Sequence, residues 1–449
     1  MADRSPNAHL ERLYRETDWT LRQFAQAVNR MGVEQGMPLS YQPQSPFSWL
    51  KGYLPREAVR PLVLEALARR LGRPVTYANA GFPEPASDAG ASRDTVGQLT
   101  DLGTEDMNPA RRRLLAASLY SATLAVPAFA GPARAEGSEG RARSAGRIGP
   151  GEVVTVRTMT DRIADILDEL GGGHARPMAA AFLVNTVAPY LRAQASEPVR
   201  RDMLSAASDL TYLTGWMAMY ERRQGLGQRY YVTALDLARE AGDHLTYCRT
   251  LRGMSLQASH LGHGRRARDL ADAAAEAAPQ AGPRLVAFLR GQQAHAAAMV
   301  GDLRRARARL REAESALSRA DARRDAVGGY DRAAYEFHVA HVLAEGGDLP
   351  GSVAALQASL RAQPERQRQG RLHAHAVLAK RQFALGHLDA GCATWSAFLD
   401  DYRTLSTARG DEHFATLRGH LRAHARVRAV RQLAGRAREV AALKGSTVR

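Results

Sequence analysis

Lysine is almost absent from this chain: of 449 residues 62 are basic, yet only Lys51, Lys380 and Lys444 are lysines. None of the three follows a glycine, so no G-x-x-x-x-G-K-[ST] phosphate loop can form, and ATP hydrolysis by that route is excluded. Cysteine is scarce too. Cys248 and Cys392 stand far apart with no C-x-x-C, which excludes a secreted disulfide framework and predicts two buried thiols in a reducing cytoplasm. Aromatic residues make up only 6%, too few for aromatic- and β-branched-rich strands, while abundant alanine and arginine point to helix. Met1 to Asn7 hold no apolar core, so no secretory signal is expected. The hydrolase motif G-x-S-x-G, the zinc motif H-E-x-x-H and the dinucleotide motif G-x-G-x-x-G after a strand are missing as well. An enzyme is not expected, nor a cofactor, nor a metal.

What is present in excess is positive charge, +16 formally. Residues 1–82 carry eleven basic against seven acidic side chains, residues 83–151 are balanced, and the final 41 residues carry ten against three. Charge weighted to the two ends permits a polyanionic partner; an arginine-rich composition with solvated helix faces produces the same distribution without one.

Residues 8–82 read as a first helical unit. Thr20 and Gln23 form a capping box, and Leu21, Phe24, Ala25 and Val28 recur at helical spacing until Gly32, expected to stop the run. Prolines 38, 43 and 46 break the next segment. Only Ser45 to Leu50 can then be helical there, with Ser45 as cap and Pro46 in the first turn. Pro61 to Leu71 forms another amphipathic helix.

Residues 83–151 shift to Pro, Ala, Gly and Ser and read as a mostly disordered linker. Inside it Arg111-Arg112-Arg113 precedes an uncharged run to Ala130. A linker helix over 109–130, capped by Asn108-Pro109 and docked on the rest of the chain, is expected; the alternative is a membrane anchor, for which the run is short.

From 152 to 449 the pattern is helical and repeats. Turn glycines Gly225, Gly262, Gly301, Gly347 and Gly386 recur at spacings of 37 to 46 residues. Seven residues before them stand Ala218, Ser255, Ala294, Ala340 and Ala379; five after stand Tyr230, Ala267, Ala306, Ser352 and Gly391. Small side chains on both helices of a hairpin allow close approach, and hairpins that cannot bury their own apolar faces stack. Residues 414–443 should cap the stack. His338 and His341 share a helical face, yet without a second ligand pair they read as groove or surface histidines.

The small-Gly-small-large order, clearest from Ala294 to Ala313, resembles the tetratricopeptide repeat (TPR). Asp18-Trp19-Thr20-Leu21, Trp49-Leu50-Lys51-Gly52 and Leu64 to Arg73 resemble the xenobiotic-response-element type of helix-turn-helix. The whole chain resembles the helix-turn-helix plus TPR regulators of actinobacteria, which negatively regulate differentiation and antibiotic production. The resemblance implies an all-α fold: a DNA-binding unit over 8–82, a linker over 83–151 and a TPR-like solenoid over 152–449. It implies a cytoplasmic regulator in which Gln44, Ser45, Ser48, Lys51 and Arg56 face promoter DNA, Trp49 and Leu50 anchor the reading helix, and the solenoid groove takes a protein or peptide. Dimerisation, which would call for spaced half-sites, stays open. So does the alternative of a scaffold whose first unit does not bind DNA.

Overall fold

The computed structural model describes residues 6–34, 39–71, 75–83, 94–108, 120–122, 124, 126, 129, 146–277, 281–320 and 330–446. Among these the only β pairing is a single bridge between Arg147 and Gln194, and the all-α expectation holds.

The first unit contains α1 (Ala8–Glu16), α2 (Leu21–Glu34), α3 (Gln44–Leu50) and α4 (Arg60–Leu71). The capping box at the start of α2 is made: Gln23 N donates to Thr20 Oγ1 (3.2 Å) and Thr20 N to Gln23 Oε1 (2.8 Å). Gly32 does not stop α2; the helix runs on to Glu34, since one glycine costs a helix only about 1 kcal/mol. The Asn29 side chain holds the return of the long connection, bonding both the N–H and the carbonyl of Tyr41 at 2.8 and 2.9 Å. Phe24 lies at the centre, with Tyr14, Trp19 and Trp49 around it at ring distances of 5.7 to 6.0 Å.

The linker expectation is corrected in two places. Thr95–Met107 is helix α5, Asp94 capping it through Gly97 N. A buried ion pair between Asp106 and Arg176 and a hydrogen bond from Tyr230 Oη to Asp106 (3.1 Å) hold it against the later helices. Of the expected helix 109–130, residues 109–119 lie outside the described residues. The described ones, Tyr120, Ser121, Ala122, Leu124, Val126 and Phe129, are not helical. Backbone groups of two of them find partners in the solenoid: Ser121 exchanges two 2.7 Å bonds with the Gln228 amide, and the Leu124 carbonyl accepts from Arg266 (2.8 Å). Those side chains replace the bonds a helix would have supplied. No helix among the described residues is long and apolar enough to cross a membrane.

Next come α6 (Pro150–Leu170) and α7, which runs from Gly172–Phe182 through a π-helical turn at Leu183–Val187 into Ala188–Arg192. Five hairpins follow: α8 (Glu197–Tyr220) with α9 (Gln224–Ala241), α10 (His244–His260) with α11 (Gly264–Glu276), α12 (Pro283–Met299) with α13 (Leu303–Ser318), α14 (Arg332–Glu345) with α15 (Leu349–Ala362), and α16 (Arg368–Ala384) with α17 (Leu388–Tyr402). The capping pair is α18 (Ala408–Ala423) and α19 (Arg428–Ser446).

Four of the five turn glycines are where the spacing put them. Gly262, Gly301, Gly347 and Gly386 take φ of +78° to +84° immediately before the N-cap of the second helix. Two of the small pairs are joined directly, Ser255 Oγ donating to Ala267 O (2.6 Å) and Ser352 Oγ to Ala340 O (2.7 Å), and Ala294, Ala306 and Ala379 are fully buried. Gly225 is corrected. It lies inside α9, and the left-handed position of that turn belongs to Arg222 (φ +60°). The repeat therefore shifts by three residues. Its small pair is Gly215 and Gly227, where a Cβ on either would lie 3.0 to 3.1 Å from the other's carbonyl oxygen; Ala218 and Tyr230 are buried beside that contact.

The two ends of the stack meet. Ser406 N donates to Leu170 O (2.8 Å), Gly173 N to Ser406 O (2.9 Å), and Ala408 N to the Glu221 carboxylate (3.1 Å). Arg409 lies 4.8 Å over the Tyr220 ring and 3.1 Å from His260 Nδ1. The hairpins thus close into a ring, with α8, α10, α12, α14 and α16 facing inward.

Candidate functional site

Two places in this architecture gather chemistry. The first is the surface around α3. On a helical wheel of 100° per residue Pro46 and Trp49 share one side, both buried, and Gln44, Phe47, Ser48 and Lys51 share the other. Gln44 and Lys51 are exposed and Ser48 is half-buried, its hydroxyl donating to Gln44 O (2.8 Å). Ser45 is half-buried at the flank and is not a cap: Pro43 holds the N-cap position. Arg56 is exposed beyond the turn, beside Tyr53 and Leu54, which are 50% and 48% exposed, and Phe47 is 51% exposed. This surface is mixed, cationic and apolar together.

The opposite side of the unit rests on the ring. Helix α4 is buried all round from Leu62 to Ala68. Its Glu65 lies 2.8 Å from His263 Nε2 and 2.8 Å from Arg69 Nε. Tyr120 stacks on His263 at 5.4 Å, and burial, with Glu65 alongside, pushes its hydroxyl pKa up.

The second place is the lumen, a cavity of about 190 Å³ walled by inward helices, with Trp216, Arg252, Phe337 and His341 among its residues. Imidazoles meet across hairpins that are distant in sequence: His295 stacks on His341 at 4.4 Å, Phe337 meets the same ring edge-on at 4.8 Å, and His373 Nδ1 lies 2.9 Å from His413 Nε2. Burial holds His260, His338, His341 and His373 well below the usual imidazole range, His295 at about 4 and His413 at about 2, and neighbouring cations (Arg252, Arg381, Lys380, Arg409) add to the effect. The rings are therefore neutral at pH 7. Among the described residues no group of three or more His, Cys, Asp or Glu is arranged to hold a metal ion. Arg252 is 5% exposed, with its guanidinium 4.0 Å over Phe288 and 5.7 Å from the Trp216 ring.

The spacing of His338 and His341 was readable as a shared groove face. Arg252, Trp216, Tyr220 and His295 carried no such signal; only the placement of Arg252 between Leu251 and Met254 in a helix of buried positions could have flagged it.

These features define a helical-repeat protein with a small helical unit docked on its ring. Residues 10–83 match the family model described as the SP15 N-terminal domain, which covers that unit and leaves the ring outside. No curated protein matches the chain.

Proposed function

We propose that this chain is a transcriptional regulator of the helix-turn-helix plus TPR kind, in which the N-terminal unit contacts promoter DNA and the hairpin stack recognises a partner that biases DNA occupancy. The supporting observation is the division of α3: one side is anchored by Pro46 and Trp49, and the other offers Gln44, Ser48 and Lys51, with Arg56 beyond. An amide, a hydroxyl and cations on one short helical face suit base edges and phosphates. The helix has seven residues, a length of roughly 10 Å at about 1.5 Å per residue, so it would read few base pairs and lean on phosphate contacts. A gel-shift series with the full-length protein and genomic promoter fragments should show affinity falling with salt, log K dropping about 0.9 per phosphate neutralised. The Lys51→Ala/Arg56→Ala double variant should flatten that slope. Absence of binding to every fragment overturns the reading.

A second reading, a scaffold without DNA binding, is favoured by the exposed Phe47, Tyr53 and Leu54, since apolar clusters on a surface suit protein contact. Under it, Phe47→Ser disrupts regulation of target genes in cells while the Lys51→Ala/Arg56→Ala variant does not.

A further inference from the structure

Among the described residues no carboxylate forms an ion pair with the guanidinium of Arg252 inside the ring. Neither Nε nor Nη1 of Arg252 has a hydrogen-bond partner among the described residues; the side chain is hydrogen-bonded to the Tyr212 hydroxyl. The titratable groups around it are tyrosines, Tyr212, Tyr220, Tyr231 and Tyr330, and buried imidazoles, His295 and His338, none of them a carboxylate. Among the described residues of the cavity wall the only acid is Asp331, which is engaged in capping α14 through Ala334 N (2.9 Å). Arginine does not shed its proton in proteins, and a buried charge without a partner is costly to keep. A buried guanidinium with no carboxylate partner among the described residues is suited to pair with an anion.

The remaining walls say what the anion is attached to. Trp216, Phe337 and the stacked His295–His341 pair line the cavity with aromatic rings, and neutral imidazoles can accept or donate a hydrogen bond without repelling an anion. The volume of about 190 Å³ lies below the roughly 300–1,000 Å³ of sites for drug-sized ligands, too small for a length of peptide. We propose that the lumen binds a small organic acid with a flat, apolar or aromatic body, its carboxylate on Arg252 and its body against Trp216, Phe337 and His341. This rests on the stack being the recognition half of the molecule and changes the expected occupant from a peptide to a metabolite-sized acid.

The test is calorimetric titration of the full-length protein, without DNA, with benzoate and phenylacetate as probes and benzamide as the neutral counterpart, at constant ionic strength. The acids should bind saturably, benzamide at least about tenfold more weakly, and inorganic phosphate, lacking a body, not at all. Arg252→Met should lower acid affinity at least about tenfold and Arg252→Lys by less. Should Arg252→Met fail to fold, Phe337→Trp, which fills the chamber with Arg252 in place, should block binding. Equal binding of benzamide, tighter binding of phenyl phosphate than of benzoate, unchanged affinity in Arg252→Met, or no saturable binding of either acid up to about 10 mM each overturns the proposal. Because DNA is absent, failure here leaves the gel-shift result standing, and failure of the gel shift leaves this result standing.

Discussion

The buried imidazoles tie the stability of the ring to pH, and the sign follows from where their protons go. Folded, His260, His338, His341 and His373 lie well below their usual range and His295 at about 4; unfolded, each titrates near 6.5. Below pH 6.5 the unfolded chain binds more protons than the folded one, so stability rises with pH and falls on acidification. Each ring contributes up to about 1.4 kcal/mol per pH unit in that window. Asp168, Asp209, Glu221 and Asp236 oppose them, because burial pushes their carboxyls up, Asp168 to about 7, but they are fewer than the lowered imidazoles. Circular dichroism melts should therefore show Tm dropping steadily from pH 6.5 to 4.5, less steeply in a His295→Gln/His341→Gln variant. A flat profile would contradict the burial of these rings. Their count was readable in the sequence. Their meeting was not, because His295 and His341 sit on hairpins 46 residues apart and touch only after stacking.

Hairpin register rests on the smallest side chains, and the first hairpin shows how a periodic reading slips. Gly225 lies close enough to a turn to be mistaken for its left-handed residue, while Arg222 occupies that position with a backbone arginine rarely adopts. Arg222→Gly should stabilise the protein by about 1 kcal/mol, the usual cost of left-handed geometry for a side-chain-bearing residue. Gly227→Ala should do the reverse: its Cβ would stand 3.0 Å from Gly215 O and 3.2 Å from Met219 N, backbone atoms that move only with their helix. A loss of about 1–3 kcal/mol is expected. Urea unfolding of the two variants checks both, and a Gly227→Ala midpoint equal to that of the parent would refute the close approach. In α3, by contrast, the prolines set the element's position directly: Pro46 sits in the first turn, where its missing N–H costs nothing, and the helix ends at Leu50 as anticipated.

Closure of the ring turns a row of hairpins into a chamber. Gly171 is at its seam, with φ +90° and a Cβ position 2.4 Å from the Ser406 carbonyl oxygen. No side chain fits there without separating the ends. Gly171→Val should leave the helical circular-dichroism signal intact while raising the radius of gyration in small-angle X-ray scattering and exposing Arg409 and His260 to solvent. An unchanged scattering curve would mean the seam does not hold the ring. The docked N-terminal unit adds a second closure: buried Glu65 and His263 join residues 198 positions apart, a link that neither segment announces alone.

Composition, capping residues and the period of small side chains were enough to establish helix, hairpin and stack, because helix formation and close packing of adjacent helices depend on neighbours a few residues away. The docking of Ser121 and Leu124 on the solenoid, the meeting of Leu170 with Ser406 and the setting of Arg252 among aromatic rings depend on partners more than a hundred residues distant, or on how many hairpins complete a turn. Local periodicity carries no record of that curvature: small rotations between successive hairpins accumulate around the ring, and only their sum brings the two ends together around Arg252.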